Sequence, residues 1–402
     1  MFYELAADSW GDEERAAVQR VVDSGRLTIG PEVAAFEEEF AAYFGRKYAV
    51  MTNSGSSANL VAVASLCYRK DRPLQRGDEV IVPAISWSTT YHPFQQYGLK
   101  LRFVDVELDT LNMDVSRLEE ALTPATRAIV GVSILGNPAT LDVMREFADR
   151  HGLVFLEDNC ESMDAELDGK KAGSFGDIGT FSTFFSHHIS TGEGGVLTTD
   201  DPELFGLARM IRAHGWVRDL PDWSDLVERT DDAFSEAYRF ILPGYNVRPQ
   251  EINAAVGRVQ LKKLPRMTKM RRKNLETFQK LFADDPRFTI QRENGRSSSF
   301  CFTIILDPAM TPNRDVVFDA LRDADIGFRM ITGGCFPRHE AIRHFDYSLV
   351  GEMTNGDRAH DYGFFVGNHP FDLTEQIEKL YEVLDGVCAA PEVKDKKIWQ
   401  VA

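Results

Sequence analysis

The chain has 402 residues, 43% of them hydrophobic, and a formal net charge of -17. That length suits two or three structural units with a substantial core. The acidic balance argues against a nucleic-acid partner, which calls for a basic face, but leaves room for a small anion met by locally clustered arginines.

No run reaches about 18 uninterrupted apolar residues, so no membrane-spanning helix or membrane partner is expected. The opening MFYELAADSWGDEER has no basic stretch followed by an apolar one. No export signal is therefore expected, and the cytoplasm is the expected location. Cys67, Cys160, Cys301, Cys335 and Cys388 are scattered without a CxxC or CxC pair. That spacing argues against a disulfide scaffold and a compact zinc site.

In chain order, GPEVAAFEEEFAAYF at 30–44 predicts an amphipathic helix. Pro31 suits its first turn, and Val33, Phe36, Phe40 and Phe44 follow helical spacing. YAVMT reads as a strand, NSGSS as a turn and ANLVAVASLCYR as a helix. DEVIVPAI and KLRFVDV are further strands, and Asp114 is placed to cap the helix VSRLEEAL. Strand RAIVGVSI, helix LDVMREFADRH and strand GLVFLED follow. This alternation predicts an α/β fold: a mainly parallel sheet with helices on both faces, in a large unit over 1–262. Ligands on such sheets bind beyond the carboxyl ends of the strands. Attention therefore falls on NSGSS, ISWSTT, GNP and EDNCES.

Residues 216–243 form an acidic, aromatic insertion that reads as a long functional loop or lid. A basic helix is expected near 258–281. Residues 263–390 contain strand FCFTIIL and helices DVVFDALRDAD and TEQIEKLYEVLDGV, and read as a smaller α+β unit. Residues 391–402 read as a mobile tail.

Several residues carry chemistry. Gly55, Ser56 and Ser57 lie between strand and helix, where free amides and small hydroxyls suit a phosphate; a plain serine-capped helix is the competing reading. Asp158 ends an apolar strand. It either caps the next turn or pairs with a heteroaromatic N–H, which keeps such a ring protonated and electron-accepting. Trp87 follows a strand and is either a rim aromatic or a lid over a flat ring. Arg212, Arg218, Arg248 and Arg329 are either solvated charges or contacts to an anionic substrate. His187 and His188 are adjacent. Neighbours in an extended segment point in opposite directions, which argues against a shared metal ion.

Together, GPEVAAFEEEFAAYFG, SGSSANL, VIVPAISWSTT, FVDV, LEDNCES, GDIGTFS, GEGG and GYNVRPQEINAAVGRVQL resemble the sugar aminotransferases of fold type I. These are pyridoxal-phosphate enzymes that modify nucleotide-linked sugars. The resemblance covers about residues 8–388. It implies that Gly55, Ser56 and Ser57 hold the cofactor phosphate, that Asp158 partners the ring nitrogen and that Trp87 covers the ring. It further implies that Ser182 contacts the cofactor and that Asn246 reaches the phosphate of a neighbouring subunit, as in a homodimer with shared active sites.

In the aminotransferases of this family a lysine follows the Phe-Ser pair by five positions and links covalently to the cofactor. Here Phe181-Ser182 leads to His187. Histidine cannot form that link, so the cofactor is expected to bind non-covalently, while the imidazole can still move protons near neutral pH. The strings SHHIST, RAHGW, LPGYNVRP, KLPR, RRKN and FVGNH resemble the family's 3-dehydratase branch. That resemblance implies pyridoxamine phosphate as starting cofactor and a nucleotide-linked 4-keto-6-deoxy sugar, expected to be the GDP-mannose derivative of the colitose route, as substrate. It also implies His187 as the proton carrier, loss of the C3 hydroxyl with ammonia release, and glutamate as the amino donor that restores the cofactor. A dehydratase or aminotransferase for another nucleotide sugar, and a non-catalytic cofactor-binding homologue, are the alternatives. One related branch holds an iron–sulfur cluster on closely spaced cysteines; none are so spaced here, and no such cluster is expected. Gly327 and Phe328 stand where the branch pattern carries Glu-Cys before the arginine. The difference bears on sugar recognition or on the donor step.

Overall fold

The structure, a computed structural model, describes residues 2–389, so the tail expected at 391–402 lies outside the described residues. Its centre is an eight-stranded sheet. The order across it is Tyr48–Thr52, Gly195–Thr199, Ile178–Ser182, Val154–Asp158, Thr126–Val132, Glu79–Pro83, Lys100–Val104 and Tyr347–Leu349. Gly195–Thr199 runs antiparallel to both its neighbours, and every other pairing is parallel. The carboxyl ends of Tyr48–Thr52, Glu79–Pro83, Thr126–Val132, Val154–Asp158 and Ile178–Ser182 therefore share one edge, as the alternation of elements predicts. A second, smaller sheet is antiparallel throughout, in the order Phe288–Ile290, Cys301–Leu306, Gly363–Gly367 and Phe328–Met330.

Local chemistry sets the helices. Pro31–Tyr43 begins on a proline, and the distant Glu251 carboxylate accepts hydrogen bonds from the amides of Gly30, Glu32 and Val33. Three free amides and the positive end of the helix dipole thus meet one anion. Val33, Phe36 and Phe40 are buried on its inner face, where Phe40 meets Phe181 with ring centroids 5.2 Å apart. Gly55–Tyr68 is buried along most of its length, because it lies on the central sheet beneath Pro202–Arg212.

Four features differ from the sequence reading. The basic helix runs over Glu251–Phe282, starting earlier than 258 and continuing through Pro265. One lost N–H bond does not break it, because Leu261, Leu264, Phe278 and Phe282 bury its inner stripe. VSRLEEAL is a 3-10 turn, Val115–Arg117, followed by one helical turn, Leu118–Ala121, with Asp114 accepting from the Ser116 amide. Tyr347–Leu349, expected in the smaller unit, instead joins the outer edge of the large sheet beside Lys100–Val104. Residues 216–243 are mostly irregular, with a 3-10 turn at Val217–Asp219 and a short helix at Ala233–Glu236, and none of them lines the main cavity of the single chain.

Candidate active site

A cavity of about 540 Å³ opens at the shared carboxyl edge of the large sheet and is closed on another side by the small sheet. This is where a doubly wound sheet places its ligands.

At its base Asp158 ends the strand Val154–Asp158 and is 4% exposed. Its Oδ2 accepts from Asn59 Nδ2 at 2.8 Å and Thr90 Oγ1 at 2.7 Å, and its Oδ1 accepts from the Cys160 amide at 3.1 Å. Asn59 is in turn fixed by Thr180, whose hydroxyl donates to Asn59 Oδ1 at 2.6 Å. The carboxylate is thereby aimed rather than free to rotate. Strand alternation turns the preceding Glu157 to the other face, where it accepts from the amides of Gly173, Phe175 and Gly176.

The turn before Gly55–Tyr68 lies beside it. Ser54 caps that helix by accepting from the Ser57 amide at 3.1 Å. Gly55 and Ser56 line the cavity with Ser182. A Cβ on Gly55 would lie 2.6 Å from Ser182 Cβ and 2.9 Å from Cys160 Sγ, so only glycine admits this approach. Ser57 does not line the cavity of the single chain; its amide donates to Ser54 Oγ at 3.1 Å, and its hydroxyl oxygen accepts from Ser54 Oγ at 3.0 Å. Trp87 lies on the rim at the start of Ser88–Gln96 and is 56% exposed.

His187 projects into the cavity from the loop joining Ile178–Ser182 to Gly195–Thr199. Its ring packs edge-on against Phe184 and Phe300, with centroids 5.9 and 5.2 Å away, and its buried Nδ1 has no hydrogen-bond partner among the described residues. Burial pushes its pKa down to about 4; Arg271 adds to the shift, while the backbone of Cys160 and Ser182 and the Asp158 carboxylate oppose it. The imidazole is therefore neutral at physiological pH. His188 turns the other way, is 1% exposed, and has Nε2 3.3 Å from the Ser298 carbonyl.

The four arginines separate. Arg329 lines the cavity, and its side chain makes no hydrogen bond or ion pair with any described residue. Arg212 is 0% exposed; it pairs with Glu37 and donates to the Met51 carbonyl at 2.6 Å. Its reading as a substrate contact is corrected, because the inner face of Pro202–Arg212 turns it into the core. Arg218 stacks over Trp216 at 4.1 Å, and Arg248 lies 5.8 Å from the same ring while donating to Asn246 Oδ1 at 3.0 Å. Arg218, Arg248 and Asn246 do not line the cavity of the single chain.

Glu161 escaped the sequence reading. It lines the cavity three residues after Asp158, and its Oε2 accepts from the Leu135 amide and the Thr332 hydroxyl, both at 3.2 Å. Both donors belong to residues at positive φ, 54° for Leu135 and 41° for Thr332, a strain that clusters at functional sites. Burial raises Glu161 to about 7; Asp158 adds to the rise, and the two donors oppose it. The second carboxylate of LEDNCES was the available signal.

The residues suit a flat, phosphorylated heteroaromatic cofactor. They offer a helix start with glycine clearance, an aimed carboxylate at the base and a rim indole. Among the described residues no lysine lines the cavity. The difference at Gly327-Phe328 also has a structural reason. Phe328 packs on Phe318 at 4.8 Å, in the core of the small sheet, and Gly327 abuts the segment that starts at Tyr3.

A family model described as the DegT/DnrJ/EryC1/StrS aminotransferase family matches residues 8–384. The GDP-4-keto-6-deoxy-D-mannose 3-dehydratase of Yersinia pseudotuberculosis is 47% identical over 384 residues, which is 95% of this chain and 98% of that protein. The Escherichia coli GDP-4-keto-6-deoxy-D-mannose-3-dehydratase, solved with hydrated PLP bound, is 46% identical with a TM-score of 0.93 over 96% of this chain and all of that one. A GDP-4-keto-6-deoxymannose-3-dehydratase solved with a trapped PLP-glutamate geminal diamine is similar at 46% identity and a TM-score of 0.93, covering 95% of this chain and 100% of that one.

Proposed function

The chain belongs to the DegT/DnrJ/EryC1/StrS aminotransferase family, and from that membership we propose that it is a GDP-4-keto-6-deoxy-D-mannose 3-dehydratase. The observation that carries the reading is His187, a neutral imidazole facing a lysine-free cavity above an aimed carboxylate.

Pyridoxamine phosphate, when bound, supplies an amine that condenses with the C4 ketone and a ring that accepts electrons. Gly55 and Ser56 hold its phosphate at the helix start, Ser182 contacts it, and Trp87 covers the ring. Asp158 holds the proton on the ring nitrogen. His187 takes a proton with its neutral imidazole and returns one to the departing C3 hydroxyl, as a general base and then a general acid. With no lysine on the described wall, the chain would hold the cofactor non-covalently; hydrolysis by one water would then give a 4-keto-3,6-dideoxy sugar and ammonia, and glutamate would be the donor that resupplies the amine. Arg329, unpaired at the wall, meets an anionic group of a ligand.

The working unit is a homodimer with shared sites. Asn246 reaches the phosphate end of the partner's site, with Arg218 and Arg248 beside it. Arg218 and Asn246 are exposed and Arg248 is half-buried, with Tyr238 67% and Phe240 55% exposed against Trp216, which supports this. No described helix is long and apolar enough to cross a membrane. Free cysteines at Cys67, Cys160, Cys301, Cys335 and Cys388 support a reducing, cytoplasmic setting.

The test incubates the protein with pyridoxamine phosphate and a panel of nucleotide-linked 4-ketosugars, and reads product mass and ammonia. Loss of the C3 oxygen with ammonia release is expected, with the GDP sugar preferred. An amino sugar that keeps its C3 oxygen would overturn the reading.

A further inference from the structure

Part of the cavity wall comes from the beginning of the chain. Leu5 and Ala6 line it, in a short strap over residues 3–6. The strap is tied to the small sheet at several points. The Tyr3 amide donates to the Asp325 carbonyl at 2.9 Å, the Gly327 amide to the Tyr3 carbonyl at 2.8 Å, and the Tyr3 hydroxyl to the Gly367 carbonyl at 2.6 Å. The Glu4 carbonyl accepts from His369 Nε2 at 2.8 Å.

Two glycines make room for it. A Cβ on Gly367 would lie 2.6 Å from the Leu5 carbonyl oxygen and 2.7 Å from that of Glu4. A Cβ on Gly327 would lie 3.0 Å from the Leu5 amide nitrogen and 3.2 Å from the Tyr3 oxygen. Neither glycine has positive φ, so each is required for space rather than for backbone freedom. Between them, Arg329 and Phe365 are partners across the strands, and both line the cavity. The strap thus adds an apolar edge to the wall that carries the unpaired arginine.

Leu5 and Ala6 belong to the wall built on the small sheet, whereas Asp158 and Ser182 end strands of the large sheet. A nucleotide-linked sugar is longer than an amino acid and covers more of the cavity wall. We propose that the strap of residues 3–6, seated on Gly327 and Gly367, is a specificity wall for the nucleotide-linked sugar and plays no part in binding the amino donor. This rests on the dehydratase reading above.

The test uses Gly367→Ala and Leu5→Ala in the full chain with cofactor. Gly367→Ala should speed amide hydrogen exchange in residues 2–8 and weaken GDP-sugar binding, read by calorimetry, by about tenfold, the scale of a lost apolar contact. The glutamate-driven change from the pyridoxal to the pyridoxamine form, followed by absorbance, should be unchanged. Faster exchange with unaltered sugar affinity would overturn the proposal. So would a glutamate step that falls in parallel, since that marks a merely structural role. If Gly367→Ala does not fold, Leu5→Ala decides: weaker sugar binding with an intact glutamate step supports the wall, and no change overturns it. A wild-type protein that accepts glutamate but binds no nucleotide sugar would sink the dehydratase reading and the strap together, an outcome distinct from the others.

Discussion

At the scale of single residues, the proposed reaction turns on which group stands at position 187. A neutral imidazole packed between Phe184 and Phe300 can accept and return a proton but cannot capture an aldehyde. His187→Lys should therefore gain the absorbance of a covalently linked cofactor and lose dehydration; retained dehydratase turnover would remove His187 from its proposed role. Glu161 makes a second prediction. Its folded pKa, about 7, lies above its ordinary value of 4.5. Its contribution to stability is thus fully present below the unfolded value and is lost as pH rises through about 7. Glu161→Gln should flatten the part of the melting-temperature change that wild type shows between about pH 4.5 and 7. A variant with the wild-type pH dependence would place the buried proton elsewhere.

At the scale of elements, the base of the cavity depends on helices held by buried charge. Arg212 ties Pro202–Arg212 to Glu37 on Pro31–Tyr43 and to the Met51 carbonyl in the first strand, while Glu37 also accepts from the Met51 amide at 2.8 Å. Arg212→Met would leave the buried Glu37 carboxylate with only the looser ion pair to Arg209, 3.9 Å away, at a cost of up to about 3–5 kcal/mol. Removing both partners, as Arg212→Met with Glu37→Leu, should recover much of that loss in denaturant unfolding. If the double variant is no more stable than the single, the charge is not what makes the site costly. The cap before Gly55–Tyr68 is the lighter counterpart: Ser54→Ala should cost about 1 kcal/mol and weaken cofactor binding, because the same turn does both jobs.

At the scale of the whole molecule, the proposed shared site makes a prediction by subunit mixing. His187→Ala and Asn246→Ala homodimers should each be inactive or weak. Mixed dimers would pair an intact His187 from one chain with an intact Asn246 from the other in one of two sites. Equal mixing should restore about a quarter of wild-type activity, since about half the dimers are mixed. No recovery, in a preparation that sedimentation shows to exchange subunits, would place each complete site within one chain.

The sequence by itself determined the order of strand, turn and helix, because apolar periodicity and turn chemistry act over a few residues. It also located Gly55, Asp158, Ser182 and His187, since each lies at or just beyond the end of a strand, and those ends share one edge in a parallel sheet. Other outcomes needed contacts between segments remote along the chain. Arg212 looked like the other three arginines until Glu37, 175 residues away, claimed it. Nothing local distinguishes a cavity-lining Leu5 from a surface leucine; the Tyr3 hydroxyl meets Gly367 across 364 residues. Tyr347–Leu349 joined the far edge of the large sheet for the same reason, as strand pairing is settled by which edge is open in space. Glu161 acquired its raised pKa from burial beside Asp158 and two strained donors, an environment that exists only once three separate loops have met.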